Sequence, residues 1–81
     1  MVVKVQLFAM LRERAGTGAL TLPLPEGATV EAAVSQLMHL YPAMQGAVSK
    51  ICYAVNQDYA NAETALRDGD ELALIPPVSG G

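Results

Sequence analysis

Apolar and polar residues alternate from the first positions of the chain. Val3, Val5 and Leu7 fall on one face and Lys4 and Gln6 on the other, which predicts a half-buried strand over Val2 to Phe8. Phe8 belongs to the Lys4/Gln6 side, away from the core face. The period then changes. Ala9 to Ala15 (AMLRERA) is built from good helix formers and closes at Gly16, a residue suited to the left-handed position after a helix. Thr17-Gly18 predicts a turn, and Leu20, Leu22 and Leu24 share one face of a second strand over Ala19 to Leu24. Pro23 and Pro25 place that strand at a sheet edge, because proline cannot donate to a ladder.

Pro25 to Ala28 reads as a turn, with Thr29 as the N-cap of the one long helix. Val30, Ala33, Val34, Leu37, Met38 and Tyr41 recur at helical spacing and form an apolar stripe about three turns long. Pro42 ends it, and Ala43 to Lys50 is expected to be a loop with at most one further helical turn. Ile51 to Val55 (ICYAV) is a short apolar run of strand type, stopped by Asn56-Gln57-Asp58. Tyr59 and Ala60 suit a brief edge strand, Asn61 to Arg67 a single turn, and Asp68-Gly69-Asp70 a tight turn. Glu71 to Ile75 alternates again, with Leu72 and Leu74 on one side and Ala73 and Ile75 on the other.

One striped helix over a small mixed sheet predicts an α+β layer. The last strand has to return from the far end of the chain. Pairing it parallel to the first, at the sheet centre, is the economical arrangement, and that topology is the β-grasp (ubiquitin-like) fold. Residues 1–75 are expected to form the domain and residues 76–81 a flexible tail.

Composition narrows the function. The chain has 81 residues, of which 52 % are hydrophobic and 16 % charged, so it is a folded domain of narrow stability margin and not a disordered segment. So little charge on so small a body leaves apolar surface for a partner. The net charge of −3, with five scattered basic residues, leaves no footprint for nucleic acid. No apolar run is long enough to span a bilayer and no signal-peptide pattern is present, so a cytoplasmic protein without membrane contact is expected.

The end of the chain is unlike the rest. Pro76-Pro77-Val78-Ser79-Gly80-Gly81 carries no charged side chain and no core pattern. Two prolines stop the last strand and hold the segment extended. Six residues reach about 20 Å, enough to enter a cleft on another protein. Glycines at the tip let a narrow tunnel close around backbone alone. Such a tail delivers its α-carboxylate, which becomes an electrophile once activated as an acyl-adenylate. With a sulfur nucleophile the product is a thiocarboxylate.

Other candidates read better as structure. Cys52 lies between Ile51 and Tyr53 with no cation beside it, so a buried, unreactive thiol is expected. His39 falls off the apolar stripe and should face solvent. Asp68, Asp70 and Glu71 lack the calcium-loop pattern, and no metal site is expected. No acid–base pair or activated nucleophile can be assembled, so the chain has no catalytic machinery of its own. One surface feature remains: Phe8, Tyr59 and Ile75 are all expected on the face away from the helix, as an apolar patch at the root of the tail.

Over nearly its full length the chain resembles the small, sulfur-carrier subunits of molybdopterin synthase. The resemblance rests on Leu7-Phe8-Ala9 with Arg12-Glu13 and Gly16, Ala54-Val55-Asn56-Gln57, Leu66 with Asp68-Gly69-Asp70-Glu71, and above all the Pro-Pro-Val-Ser-Gly-Gly end. It implies that an E1-like adenylating enzyme uses ATP to activate Gly81, which then becomes a thiocarboxylate. It implies further that Pro76, Pro77, Val78, Ser79 and Gly80 insert into the large synthase subunit of a heterotetramer, where sulfur passes to cyclic pyranopterin monophosphate for the molybdenum cofactor. Phe8, Tyr59 and Ile75 fall where this family contacts its partners, and Arg12 is a further docking candidate. The chain itself is expected to hold no cofactor. A thiamine-pathway or other sulfur carrier, a ubiquitin-like protein modifier and a plain β-grasp interaction module stay open as alternatives.

Overall fold

The computed structural model describes residues 1–46 and 51–76. Five strands and two helices follow one another as β1 (Val2–Leu7), α1 (Ala9–Ala15), β2 (Ala19–Pro23), α2 (Val30–Leu40), β3 (Cys52–Val55), β4 (Asp58–Ala60) and β5 (Glu71–Ile75). A 3-10 turn, Pro42–Met44, follows α2. The strands form one sheet in the order β2-β1-β5-β3-β4. The central pair, β1 and β5, is parallel, and the other neighbours are antiparallel. This is the β-grasp arrangement expected from the sequence.

Alternation decides which side of the sheet is covered. Val3, Val5 and Leu7 of β1 and Leu72 and Leu74 of β5 are buried, and they share one cluster with Val30, Ala33 and Leu37 of α2. Burying a side chain of this size contributes roughly 1.5–3 kcal/mol, so the helical stripe and the two central strands supply most of the driving force. Thr29 caps α2, its hydroxyl oxygen accepting from Ala32 N at 3.3 Å. Such a cap is worth about 1 kcal/mol. At the other end Tyr41 N donates to Leu37 O at 2.8 Å before Pro42 diverts the chain. In α1 the only buried side chain is Leu11, and Gly16 takes the left-handed conformation at φ 76°, its N–H bonded to Arg12 O.

The start of β1 is tied down on both of its sides. The Met1 ammonium donates to Leu24 O and Leu24 N to Met1 O, each at 2.8 Å, extending the β1–β2 pairing. Val2 N donates to Asp68 Oδ1 at 2.7 Å, and Gly69 N to Val2 O at 2.8 Å. The acidic turn before β5 is therefore a splice between the two parallel strands, and its carboxylates accept backbone N–H groups.

The start of β4 and the burial of Cys52 and Met44 differ from expectation. Asp58 is the first residue of β4, paired with Val55, and does not stop β3. Its hairpin closes through Asn56 and Gln57, both at positive φ (52° and 72°), the signature of a type I′ turn. Cys52, expected to be buried, is exposed. Within the apolar run Ile51, Tyr53 and Val55 turn toward the core, so the pleat sends Cys52 to the opposite side, where no helix covers it. In the expected loop after Pro42, Met44 is fully buried. His39 is exposed, as its position off the stripe implied.

Candidate functional site

The side of the sheet away from α2 carries the candidate residues. Pairing register lines them up: Gln6 of β1 is beside Ala73 of β5, Ala73 beside Ala54 of β3, and Ala54 beside Tyr59 of β4. One pleat along lies Ile75, beside Cys52. Phe8 follows Leu7, whose partner on β5 is Leu74, and so continues the same row as Ile75. One pleat in the other direction Lys4 is beside Glu71.

These rows enclose a groove of about 300 Å³ lined by Phe8, Tyr59, Ile75, Ala54, Ala73, Gln6, Gln57 and Glu71. Its floor is two alanines, and its walls are taller side chains. That difference in height makes the depression. The structure thus brings together Phe8, Tyr59 and Ile75, three residues far apart in sequence. Phe8 is 43 % and Tyr59 87 % exposed, so neither aromatic ring is spent on the core. Ile75 is half-buried.

Local geometry explains why Phe8 is available. It stands between β1 and α1 with extended backbone angles, φ −123° and ψ 155°, and Ala9 after it is left-handed at φ 51°. That pair of conformations turns the chain out of the sheet before Leu11 dives into the core. An alanine in this region costs about 1–2 kcal/mol relative to glycine.

Arg12 is not part of the groove. It is exposed and lines a separate shallow concavity with Ala9, Glu13, Gly16, Thr17 and Gly18. Its stem lies over Gly18, where a Cβ would come within 3.1 Å of Arg12 Nε. Pro76 is buried, so the first of the two prolines packs with the domain. Pro77, Val78, Ser79, Gly80 and Gly81 lie outside the described residues. Gln6, Ala54, Gln57, Glu71 and Ala73 complete the groove; Ala54, Gln57 and Glu71 lie in stretches that carry the family resemblance, but only strand register unites the five in one place. Among the described residues no cluster of His, Cys, Asp and Glu could hold a metal ion, and no helix is long and apolar enough to cross a membrane.

Residues 5–81 match the model of the ThiS family. The chain belongs to the ThiS family. Within that relationship it is 41 % identical over 83 aligned residues to the molybdopterin synthase sulfur carrier subunit of Chlamydomonas reinhardtii, covering 100 % of both chains. The crystal structure of small archaeal modifier protein 1 from Haloferax volcanii superposes with a TM-score of 0.93 at 35 % identity, again covering 100 % of both chains. The complex of subunits 1 and 2 of the molybdopterin-converting factor from Helicobacter pylori contains a chain with TM-score 0.70 and 22 % identity, covering 100 % of both. That last likeness is one of fold. This ThiS-family chain therefore shares its whole length with sulfur-carrier subunits and with a protein modifier.

Proposed function

We propose that this chain is the sulfur-carrier subunit of a molybdopterin synthase. The observation that carries the reading is the 41 % identity to a named sulfur carrier across the full length of both chains, joined to the Gly80-Gly81 end. In this reading the Gly81 carboxylate oxygen attacks the α-phosphorus of ATP on an E1-like enzyme, releasing pyrophosphate and leaving an acyl-adenylate. The outer sulfur of a donor persulfide then displaces AMP to give an acyl disulfide, and a second thiol attacks the donor's sulfur, forming a disulfide with it and releasing the Gly81 thiocarboxylate. In the large subunit the thiocarboxylate sulfur displaces an oxygen substituent from a carbon of the cyclic pyranopterin monophosphate, forming a carbon–sulfur bond as the carbon–oxygen bond breaks. Water then hydrolyses the resulting thioester to restore the Gly81 carboxylate and leave the sulfur on the substrate.

The protein's own contribution is presentation. The tail continues from β5, a central strand held on both sides, so its root has a fixed position. The Phe8–Tyr59–Ile75 groove lies beside that root and supports docking of the activating enzyme and of the large subunit in a heterotetramer. Pro77 to Gly80 are read as the inserting segment, with buried Pro76 as its packed root, and Arg12 as a contact outside the groove. The need for ATP fits a cytoplasmic carrier.

Incubation with the activating enzyme, ATP and a sulfur source, followed by intact-mass measurement, tests the reading. Replacement of one oxygen by sulfur at Gly81 is expected, and its absence under conditions that load a known carrier would overturn it. A second reading, protein modification, is favoured by the close superposition on small archaeal modifier protein 1. It predicts Gly81 joined to lysine side chains of other proteins in the same mixture supplemented with lysate.

A further inference from the structure

We propose that the open-face groove is a receptor for an arginine side chain presented by the protein partner. The inference deepens the docking reading above and rests on it for the partner's existence. The groove is not uniformly apolar. Phe8 and Ile75 stand at the tail end, whereas Glu71, Gln6 and Gln57 bring one carboxylate and two amides to the remainder. Two pleats separate Ile75 from Glu71, a distance of about 13 Å, and three strand spacings separate Gln6 from Tyr59, about 14 Å. The space is long enough for an extended side chain with different chemistry along it.

Its electrostatics are one-sided. The lining holds one carboxylate and no cation. The Glu71 backbone is engaged, its N–H donating to Asn56 Oδ1 and its carbonyl accepting from Asn56 N. No hydrogen bond among the described residues involves its carboxylate. Lys4 neighbours Glu71 by register on the same open face, but it does not line the groove, and no ion pair joins the two among the described residues. A purely apolar occupant would strand a half-buried carboxylate against hydrocarbon, which is costly. A cation relieves that cost.

Two features select guanidinium over ammonium, and a third accommodates the hydrocarbon stem. Tyr59 offers a ring that is 87 % exposed, and guanidinium stacks on such a face. The amide oxygens of Gln6 and Gln57 and the Glu71 carboxylate are several acceptors for one planar fork, which a point-like ammonium cannot match. The alanine floor, Ala54 against Ala73, leaves room for the hydrocarbon stem, which gains by lying on apolar surface.

The test is an amide-resonance titration of the intact chain with N-acetyl-arginine amide, with the lysine and leucine analogues as comparisons. Shifts centred on Ala54, Tyr59, Glu71 and Ala73 are expected, strongest for arginine. Glu71→Gln should weaken arginine binding about fivefold or more, and Tyr59→Ala should remove the preference for arginine over lysine. The spectra of both variants report whether the fold is intact. Equal or stronger binding of the leucine probe overturns the assignment. So do shifts spread over acidic residues elsewhere, an arginine response unchanged in Glu71→Gln, or no response up to the solubility of the probe. Sulfur loading at Gly81 plays no part in this titration. A chain that fails to load yet binds arginine in the groove loses the carrier reading and keeps this one.

Discussion

Asn56 and Asp70 are joined side chain to side chain, Asn56 Nδ2 donating to Asp70 Oδ1 at 3.0 Å. The same asparagine accepts from Glu71 N through Oδ1 at 3.0 Å, and Asp70 Oδ2 accepts from Arg67 N at 2.8 Å. One residue in the β3–β4 turn thus holds the turn that launches β5. Asn56→Ala removes two hydrogen bonds worth about 1 kcal/mol each and places alanine at φ 52°, adding about 1 kcal/mol. A loss of about 2–3 kcal/mol is expected, seen as a fall in Tm of roughly 10 °C or more. Thermal unfolding by circular dichroism checks it, and an unchanged Tm would show that the clasp is dispensable.

Gln57 gives the opposite sign. It occupies the second position of the same type I′ turn at φ 72° and is exposed. Asparagine-glycine is the preferred pair for this turn because both central residues need positive φ. Gln57→Gly is therefore expected to stabilise the chain by about 1 kcal/mol, raising Tm by about 4–8 °C. The same melting experiment decides it. A lower Tm would mean that the glutamine side chain makes a contact outweighing its backbone strain.

Met44 tests a core residue outside the periodic pattern. It lies in the 3-10 turn after α2 and is fully buried, whereas Gln45 beside it is exposed. Met44→Ala should cost about 2–4 kcal/mol, and Gln45→Ala should stay within about 0.5 kcal/mol of the parent. Urea denaturation measures both. Equal effects would remove Met44 from the core.

These residues also mark where sequence patterns stop being informative. Strands β1 and β5 were legible because two-residue alternation survives at Val3, Val5, Leu7 and at Leu72, Leu74. Gly16 and Thr29 were legible because helix ends need particular chemistry. Cys52 was not, since a run of five apolar residues hides its pleat, and the uncovered side of a central sheet becomes known only when the helix has been placed. Met44 sits among residues with no period. The hairpin turn at Asn56-Gln57 lacks the glycine that would have announced it. The two-residue run at Tyr59-Ala60 is too short for alternation to place the Tyr59 ring, whereas Phe8 and Ile75 could be assigned to one face by parity alone. The alanine floor between them could not, because Ala54 and Ala73 meet through a register set by the whole sheet.

Phe8→Ala separates surface from core within four residues of chain. Phe8 is 43 % exposed and stands on the open face, whereas Leu11, three positions on, is fully buried. Truncating Phe8 should cost about 1 kcal/mol of stability, because much of the ring already meets water. Leu11→Ala should cost about 2–5 kcal/mol. Under the proposed carrier function, binding to a large synthase subunit is expected to show the reverse order for Phe8. An aromatic anchor central to an interface is worth about 2 kcal/mol or more on truncation, so Kd should rise roughly 30-fold. Calorimetric titration of the folded variant with the large subunit, beside its melting curve, gives both quantities. Intact affinity together with a large drop in Tm would make Phe8 a structural residue and would remove the groove from the docking surface. Weakened binding at nearly unchanged Tm ties the apolar end of the groove to the partner that receives the tail.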